Sequence, residues 1–219
     1  MNTNALIILN GDLNKNLVKQ FIRKNKPRNS FCLIAADGSS NNLFKYKIVP
    51  DYIIGDLDSS SRTSLNYFSK KGSEIVKINE QDHNDFEKCL IFSTKKNYNN
   101  IVVLGYGGGR IDHLINNLSV LNKYSSKCRI KLLDESYEII KINKSIKFIY
   151  KQNEPVSLIA LPKASGIKTK GLKYKLNLET LEFGKREGAL NNSTSKSIKV
   201  EYKTGSLFII KKHFGQLNF

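Results

Sequence analysis

No apolar run in the 219-residue sequence approaches the roughly 20 residues that a membrane-spanning helix needs. The apolar stretch near the N-terminus, residues 5–9, is too short for a signal peptide and follows no basic residue. The three cysteines, Cys32, Cys89 and Cys128, stand singly in apolar runs without a CxxC or Cys/His cluster. That excludes a zinc framework and a disulfide scaffold, and predicts reduced core thiols in a cytoplasmic protein. No Walker A loop and no Gly-x-Ser-x-Gly elbow is present, and the one glycine run does not fit GxGxxG. Arginine is scarce and no block of five or six basic residues occurs, although the net charge is +17. Lysine dispersed along the whole chain reads as solvated surface. Neither nucleic acid nor a membrane is expected as a partner.

Two patterns of hydrophobicity divide the chain. In the first part, continuous apolar runs at 5–9, 31–36, 51–54, 74–78 and 101–104 predict buried strands. Helical spacing at 17–24, 60–70, 85–93 and 112–124 falls between them, the pattern of a parallel sheet covered on both faces. From about residue 125 onward, short strands follow one another without long helices: 130–133, 137–142, 145–150, 156–161, 167–176, 180–183, 198–202 and 207–211. The fold class expected is α/β then all-β: an N-terminal parallel-sheet α/β domain, residues 1–130, and a C-terminal antiparallel β-sandwich domain, residues 131–219. The polar stretch 188–196 reads as a loop.

Polar loops close four of the N-terminal strands: Asn10-Gly11-Asp12, Asp37-Gly38-Ser39-Ser40, Gly55-Asp56-Leu57-Asp58-Ser59 and Gly105–Arg110. Ligands of an open α/β sheet bind at the carboxyl ends of its strands, so these loops are expected to meet at one crevice. Asp56 and Asp58, two apart, point the same way if the segment stays extended, and paired carboxylates suit Mg²⁺. Their residue types suit a turn equally well. The run Gln81-Asp82-His83-Asn84-Asp85 offers further carboxylates, or a helix N-cap, or both. Gly107-Gly108-Gly109-Arg110 before a helix can turn N–H groups toward an anion, with Arg110 free to grip phosphate oxygens. Together these residues point to phosphate chemistry assisted by Mg²⁺.

Ala36-Asp37-Gly38, Pro50-Asp51 with Gly55-Asp56-Leu57-Asp58-Ser59, Gln81-Asp82-His83-Asn84-Asp85-Phe86 and Gly108-Gly109-Arg110-Ile111-Asp112-His113 resemble, in order, the motifs of the thiamine pyrophosphokinase family. Thr169-Lys170-Gly171-Leu172-Lys173-Tyr174, Phe183-Gly184 and Asn191 resemble that family's β-domain motifs. The resemblance implies transfer of the pyrophosphoryl group of ATP to the hydroxyl of thiamine, with Mg²⁺, in a cytoplasmic homodimer that binds thiamine at the subunit interface. It implies metal ligands Asp56, Asp58 and Asp85, which with Arg110 form the catalytic set. It implies nucleotide contacts from Asp37, Gly38, Gly108, Gly109, Arg110, Asp112 and His113, and substrate contacts from Gln81, Asp82, Asn191 and Ser193. This sequence departs from the family pattern at Ser39, Ser40, Asn84, Tyr174 and Leu190. Leu190 removes a hydroxyl on the thiamine side, where Ser193 offers a replacement. The alternative reading is the same chemistry on another alcohol, such as a hydroxymethylpterin.

Overall fold

A computed structural model describes residues 3–25, 27 and 30–219. It separates into two compact units, one running to Glu135 and including Gln216–Phe219, the other Ser136–Gly215.

The first unit alternates strand and helix. Its elements are β1 (Asn4–Ile8), α1 (Lys15–Lys24), β2 (Cys32–Ala36), α2 (Ser39–Tyr46), β3 (Tyr52–Gly55), α3 (Arg62–Lys70) and β4 (Glu74–Lys77). They continue with α4 (Asp85–Lys95), β5 (Asn100–Leu104), α5 (Ile111–Tyr124) and β6 (Arg129–Leu133). The strands lie parallel in the order β4-β3-β2-β1-β5-β6. The strands at its centre are apolar on both faces because helices cover both. Leu6, Ile8, Leu33, Val102 and Leu104 are fully buried, with Phe21 and Phe68 packed over them. Each such side chain contributes on the order of 1.5–3 kcal/mol. The strand order reverses between β1 and β5, so the loops leaving these two strands diverge and open a crevice at their carboxyl ends.

Helix α2 escapes periodicity because its sequence, SSNNLFKY, is poor in helix formers. Burial of Leu43 against the sheet holds it, and the two small side chains of Ser39 and Ser40 let its first turn pack without exposure. Ser40 Oγ lies 2.9 Å from Ser60 Oγ.

Two boundaries differ from the sequence expectation. Residues 130–133, expected to open the antiparallel domain, belong to β6 and pair parallel with β5, from Asn100 opposite Arg129 to Leu104 opposite Leu133. A division after residue 130 would cut that strand. The last four residues return to the first unit. The Phe219 ring packs edge-on against Phe21 at 5.2 Å and lies 5.4 Å from Phe31. Asn25 Nδ2 donates to the Leu217 carbonyl at 2.8 Å, and Lys131 Nζ to that of Asn218 at 3.0 Å.

The second unit is antiparallel throughout. It comprises β7 (Tyr137–Ile142), β8 (Ser145–Ile149), β9 (Pro155–Lys170), β10 (Asn177–Glu182), β11 (Gly188–Asn192), β12 (Ser197–Glu201) and β13 (Thr204–Lys212). Strand β9 is the spine. It pairs with β13 and β12, and also with β10 and β11. The periodicity suggested two strands here, 156–161 and 167–176, because the buried parity changes. Val156, Leu158, Ala160 and Ala164 face the core, then Ile167 and Thr169. Gly166, at φ 68°, absorbs the change of phase within one strand. Strand β11 occupies part of the segment expected as a loop. Its residues GALNN carry little β propensity, and pairing with β9 supplies the order.

Candidate functional site

The crevice is a cleft of about 570 Å³ in the first unit. Gly38, Asp56, Gln81 and Asp85 line one side, and Gly108, Gly109, Arg110 and His113 another. Asp82 and Asp112 are not among the lining residues. The glycines reflect close approaches. A Cβ on Gly55 would lie 2.6 Å from that of Asp37, and Gly108, at φ 85°, would drive one to 2.1 Å from Asp12 Cγ.

Asp56 and Asp58 meet a partner that the sequence reading had assigned to the nucleotide. Among the described residues, Asp37, Asp56 and Asp58 each offer a carboxylate oxygen within 4.8 Å of the others. Three hard oxygen donors at this spacing fit Mg²⁺. Asp85, expected in that set, stands outside it and lines the cleft from the first turn of α4. Asp37 is buried, with its carboxylate accepting from Ser60 Oγ at 2.7 Å and from the Ser59 N–H at 3.2 Å. These bonds aim it at the loop after β3.

The electrostatics show the crowding of negative charge. Burial raises the carboxyl of Asp37. Burial also pushes Asp85 up to about 6, reinforced by the charge of Asp37. Asp56 moves the other way: the Gln81 amide donates to it at 3.1 Å, and Lys88 lies nearby, which together favour its charged form. A divalent cation among these carboxylates would favour their charged forms against the burial that opposes them.

Lys88 is the residue the motif reading passed over. It is 2% exposed, lines the cleft, and places Nζ 3.7 Å from Asp56 Oδ2. The signal was present: Lys88 follows Asp85 by three residues, so a helix starting at Asp85 presents both on one face. Asn84 caps that helix, accepting from the Glu87 N–H at 2.9 Å. Its amide also donates to buried Asn117 on α5 at 3.2 Å, and Asn117 donates to the Tyr106 carbonyl at 2.8 Å. This chain of bonds fixes both glycine-loop and acidic-loop walls.

Arg110 stands at the rim with its side chain 72% exposed, and both its Nε and Nη2 donate to Asp112. Asp112 therefore orients Arg110 rather than facing the cleft itself. Asn191 and Ser193, expected to touch substrate, are both buried and bonded to backbone in this chain. Asn191 is buried, accepts from the Tyr174 N–H at 3.0 Å and donates to the Tyr174 carbonyl at 2.8 Å. Ser193 is fully buried, donates to the Lys151 carbonyl at 2.5 Å and accepts from the Glu154 N–H at 3.0 Å. Both hold backbone in place. The side chains left exposed beside them are Tyr174, at 60%, and Leu190, at 85%.

The chain matches two family models: "Thiamin pyrophosphokinase, catalytic domain" over residues 24–132, and "Thiamin pyrophosphokinase, vitamin B1 binding domain" over residues 138–207. It is 30% identical to thiamine pyrophosphokinase 1 of Oryza sativa subsp. japonica over 179 residues, covering 69% of this chain and 67% of that protein. It is 31% identical to thiamine pyrophosphokinase 3 of the same plant over 184 residues, covering 69% and 67%. The crystal structure of thiamine pyrophosphokinase from Bacillus subtilis superposes with a TM-score of 0.81 at 22% identity, over 95% of this chain and 98% of that one. That of the yeast enzyme also gives 0.81, at 19% identity, over 100% and 89%. At these identities the two structures speak to the fold.

Proposed function

The chain belongs to the thiamine pyrophosphokinase family, and from that premise we propose how its cleft transfers the pyrophosphoryl group of ATP to the hydroxyl of thiamine, giving thiamine diphosphate and AMP. One observation carries the reading: three convergent carboxylates, of which Asp56 lines a cleft walled by glycine loops beside the buried Lys88. Asp37, Asp56 and Asp58 would hold Mg²⁺, which when bound would supply neutralisation of phosphate oxygens and so favour departure of AMP. Gln81 keeps Asp56 oriented and charged. Lys88 is a fixed positive charge for the transferred group, worth more because its surroundings exclude water. The backbone N–H groups of Gly108 and Gly109 lie where a glycine-rich loop enters α5, a favourable setting for phosphate. Arg110, oriented by Asp112, closes the rim over developing charge. Asp85 lines the cleft and Asp82 does not, so Asp85 is the acid in position to take the hydroxyl proton.

On the thiamine side, the second unit presents Tyr174 and Leu190 as surface for an aromatic cation, with Asn191 holding the backbone of Tyr174. The working enzyme is proposed to be a cytoplasmic homodimer that takes thiamine at the subunit interface, as the motif resemblance implies; the vitamin-binding family model over residues 138–207 supports the thiamine part of that reading. No helix among the described residues is long and apolar enough to cross a membrane.

The test is to incubate the purified protein with ATP, Mg²⁺ and thiamine and to measure AMP and thiamine diphosphate together, with EDTA and no-thiamine controls. Stoichiometric formation of both, abolished by EDTA, is expected. AMP formed only when another alcohol replaces thiamine would overturn the acceptor. No AMP with any acceptor would overturn the reaction.

A further inference from the structure

Asp56 and Asp58 were expected to point the same way if the segment between them stayed extended. The backbone is not extended there. Leu57, between them, sits at φ 70°, in the left-handed region. Residues two apart on a strand stand roughly 6.5–7 Å apart. A left-handed residue between the two acids folds the chain back, and their carboxylates share one small space with that of Asp37. The Asp58 N–H turns toward the Asp56 carboxylate and favours its charged form. Bulky side chains seldom adopt this conformation, and glycine or asparagine would take it more readily. What leucine adds is an anchor. Leu57 is partly buried and packs against the hydrophobic core of the first unit, while Asp58 beside it is exposed. Ser59 and Ser60 tie the far end of the loop to Asp37, and Leu57 ties its middle to the core.

We propose that Leu57 is a positioning residue for the divalent cation: its anchored left-handed turn sets the separation of the Asp56 and Asp58 carboxylates. The inference rests on the reading of Asp37, Asp56 and Asp58 as the cation's ligands. Leu57 is apolar and supplies no ligand atom. Its action is on the two acids that flank it. Three like charges in one space repel, and a loop free to move would let them part. Seating Leu57 in the core opposes that movement, so the donors are already gathered when the cation arrives. Groups that orient metal ligands in this way govern affinity without touching the ion.

Three variants test this. Leu57→Val keeps an apolar side chain but branches it at Cβ, which disfavours the left-handed region. Leu57→Met keeps the Cβ unbranched and the volume similar. Leu65→Val, on α3, trims another side chain packed against the same core. The probe is Mn²⁺ alone, titrated by calorimetry into each protein after removal of metal. Leu57→Val is expected to weaken Mn²⁺ binding per folded molecule at least about tenfold, the scale found for groups that orient metal ligands. The Mg²⁺ concentration for half-maximal turnover should rise by a similar factor, with kcat at saturating Mg²⁺ within about threefold of the parent. Leu57→Met should bind Mn²⁺ within about threefold of the parent. Leu65→Val should lower the thermal midpoint as Leu57→Val does and leave Mn²⁺ affinity unmoved. Parental Mn²⁺ affinity in Leu57→Val overturns the proposal, and so does equal weakening by Leu65→Val. A crystal structure of metal-free Leu57→Val separates the positioning role from the choice of ligands. The carboxylates of Asp56 and Asp58 are expected to move apart in it. That movement, in a protein whose parent binds no Mn²⁺, overturns the ligand set and supports the positioning role. Mn²⁺ bound by the parent, with the carboxylates unmoved in the variant, does the reverse.

Discussion

The two units use polar side chains in opposite ways. At the carboxyl ends of the parallel strands, Asp56, Asp58 and Asp85 keep bonding capacity and face a cleft or one another. In the antiparallel unit, Asn191 and Ser193 are buried and bonded to backbone on two sides. The difference follows from architecture. A parallel sheet leaves its strand ends diverging at a switch point, where no ladder partner satisfies the loop. Antiparallel strands return on themselves, and polar side chains near their ends satisfy orphaned N–H and carbonyl groups instead. A polar residue named by a motif is therefore chemical in one setting and structural in the other.

Substitutions separate the two kinds. Asp56→Ala is expected to lower kcat by at least about 10³-fold, on the scale of ~4 kcal/mol, and to lower the thermal midpoint modestly because buried Lys88 loses its charge partner. A steady-state assay paired with thermal unfolding checks this, and normal turnover would sink the assignment. Lys88→Met keeps the length of the side chain and removes its charge. A fall of about 10²-fold in kcat is expected, again with the fold intact by circular dichroism. Ser193→Ala should behave in the contrary manner. It leaves the Lys151 carbonyl and the Glu154 N–H without their buried partner, at a cost of roughly 1–3 kcal/mol seen in denaturant unfolding. Its kcat per folded molecule should stay within about twofold of the parent, and a hundredfold loss in a well-folded variant would restore Ser193 to the chemistry.

The smallest effect concerns Asp85 in protein kept free of metal by EDTA. Its folded pKa, about 6, lies above the ordinary 3.8. The native state therefore binds more protons than the unfolded chain between those values, and stability falls as pH rises through that window. Asp85→Asn removes the buried charge, so it should stabilise by on the order of 1 kcal/mol at pH 7. The gain should fade as pH drops toward 5. A gain independent of pH would contradict the burial of a charged Asp85.

The parallel sheet was legible because buried strands separated by amphipathic helices leave an unambiguous pattern. The failures have physical causes. Helix α2 was invisible because serine and asparagine carry no helix signal, and packing of Leu43 decides it. Strand β9 read as two because Gly166 shifts the phase of an otherwise continuous strand. Strand β6 was placed in the wrong unit because an apolar strand of five residues looks the same in either kind of sheet, and only its partner tells them apart. Within the site, Asp56, Asp58, Asp85 and the glycine loop stood out as motifs, whereas Lys88 looked like one more surface lysine.

By itself the sequence determined the residue types, their order and the periodicities: two kinds of sheet, acids and glycines at strand ends, and the family they resemble. Tertiary structure alone decided which groups meet. Asp37 joins Asp56 and Asp58 because β2 and β3 are neighbours in the sheet. Lys88 reaches Asp56 because α4 carries it into the cleft. The tail packs back through Phe219 because Phe21 and Phe31 are gathered where it ends. Distances between residues far apart in the chain depend on which strands pair and which faces pack. Those choices minimise the free energy of the whole fold, and no local stretch of sequence encodes them.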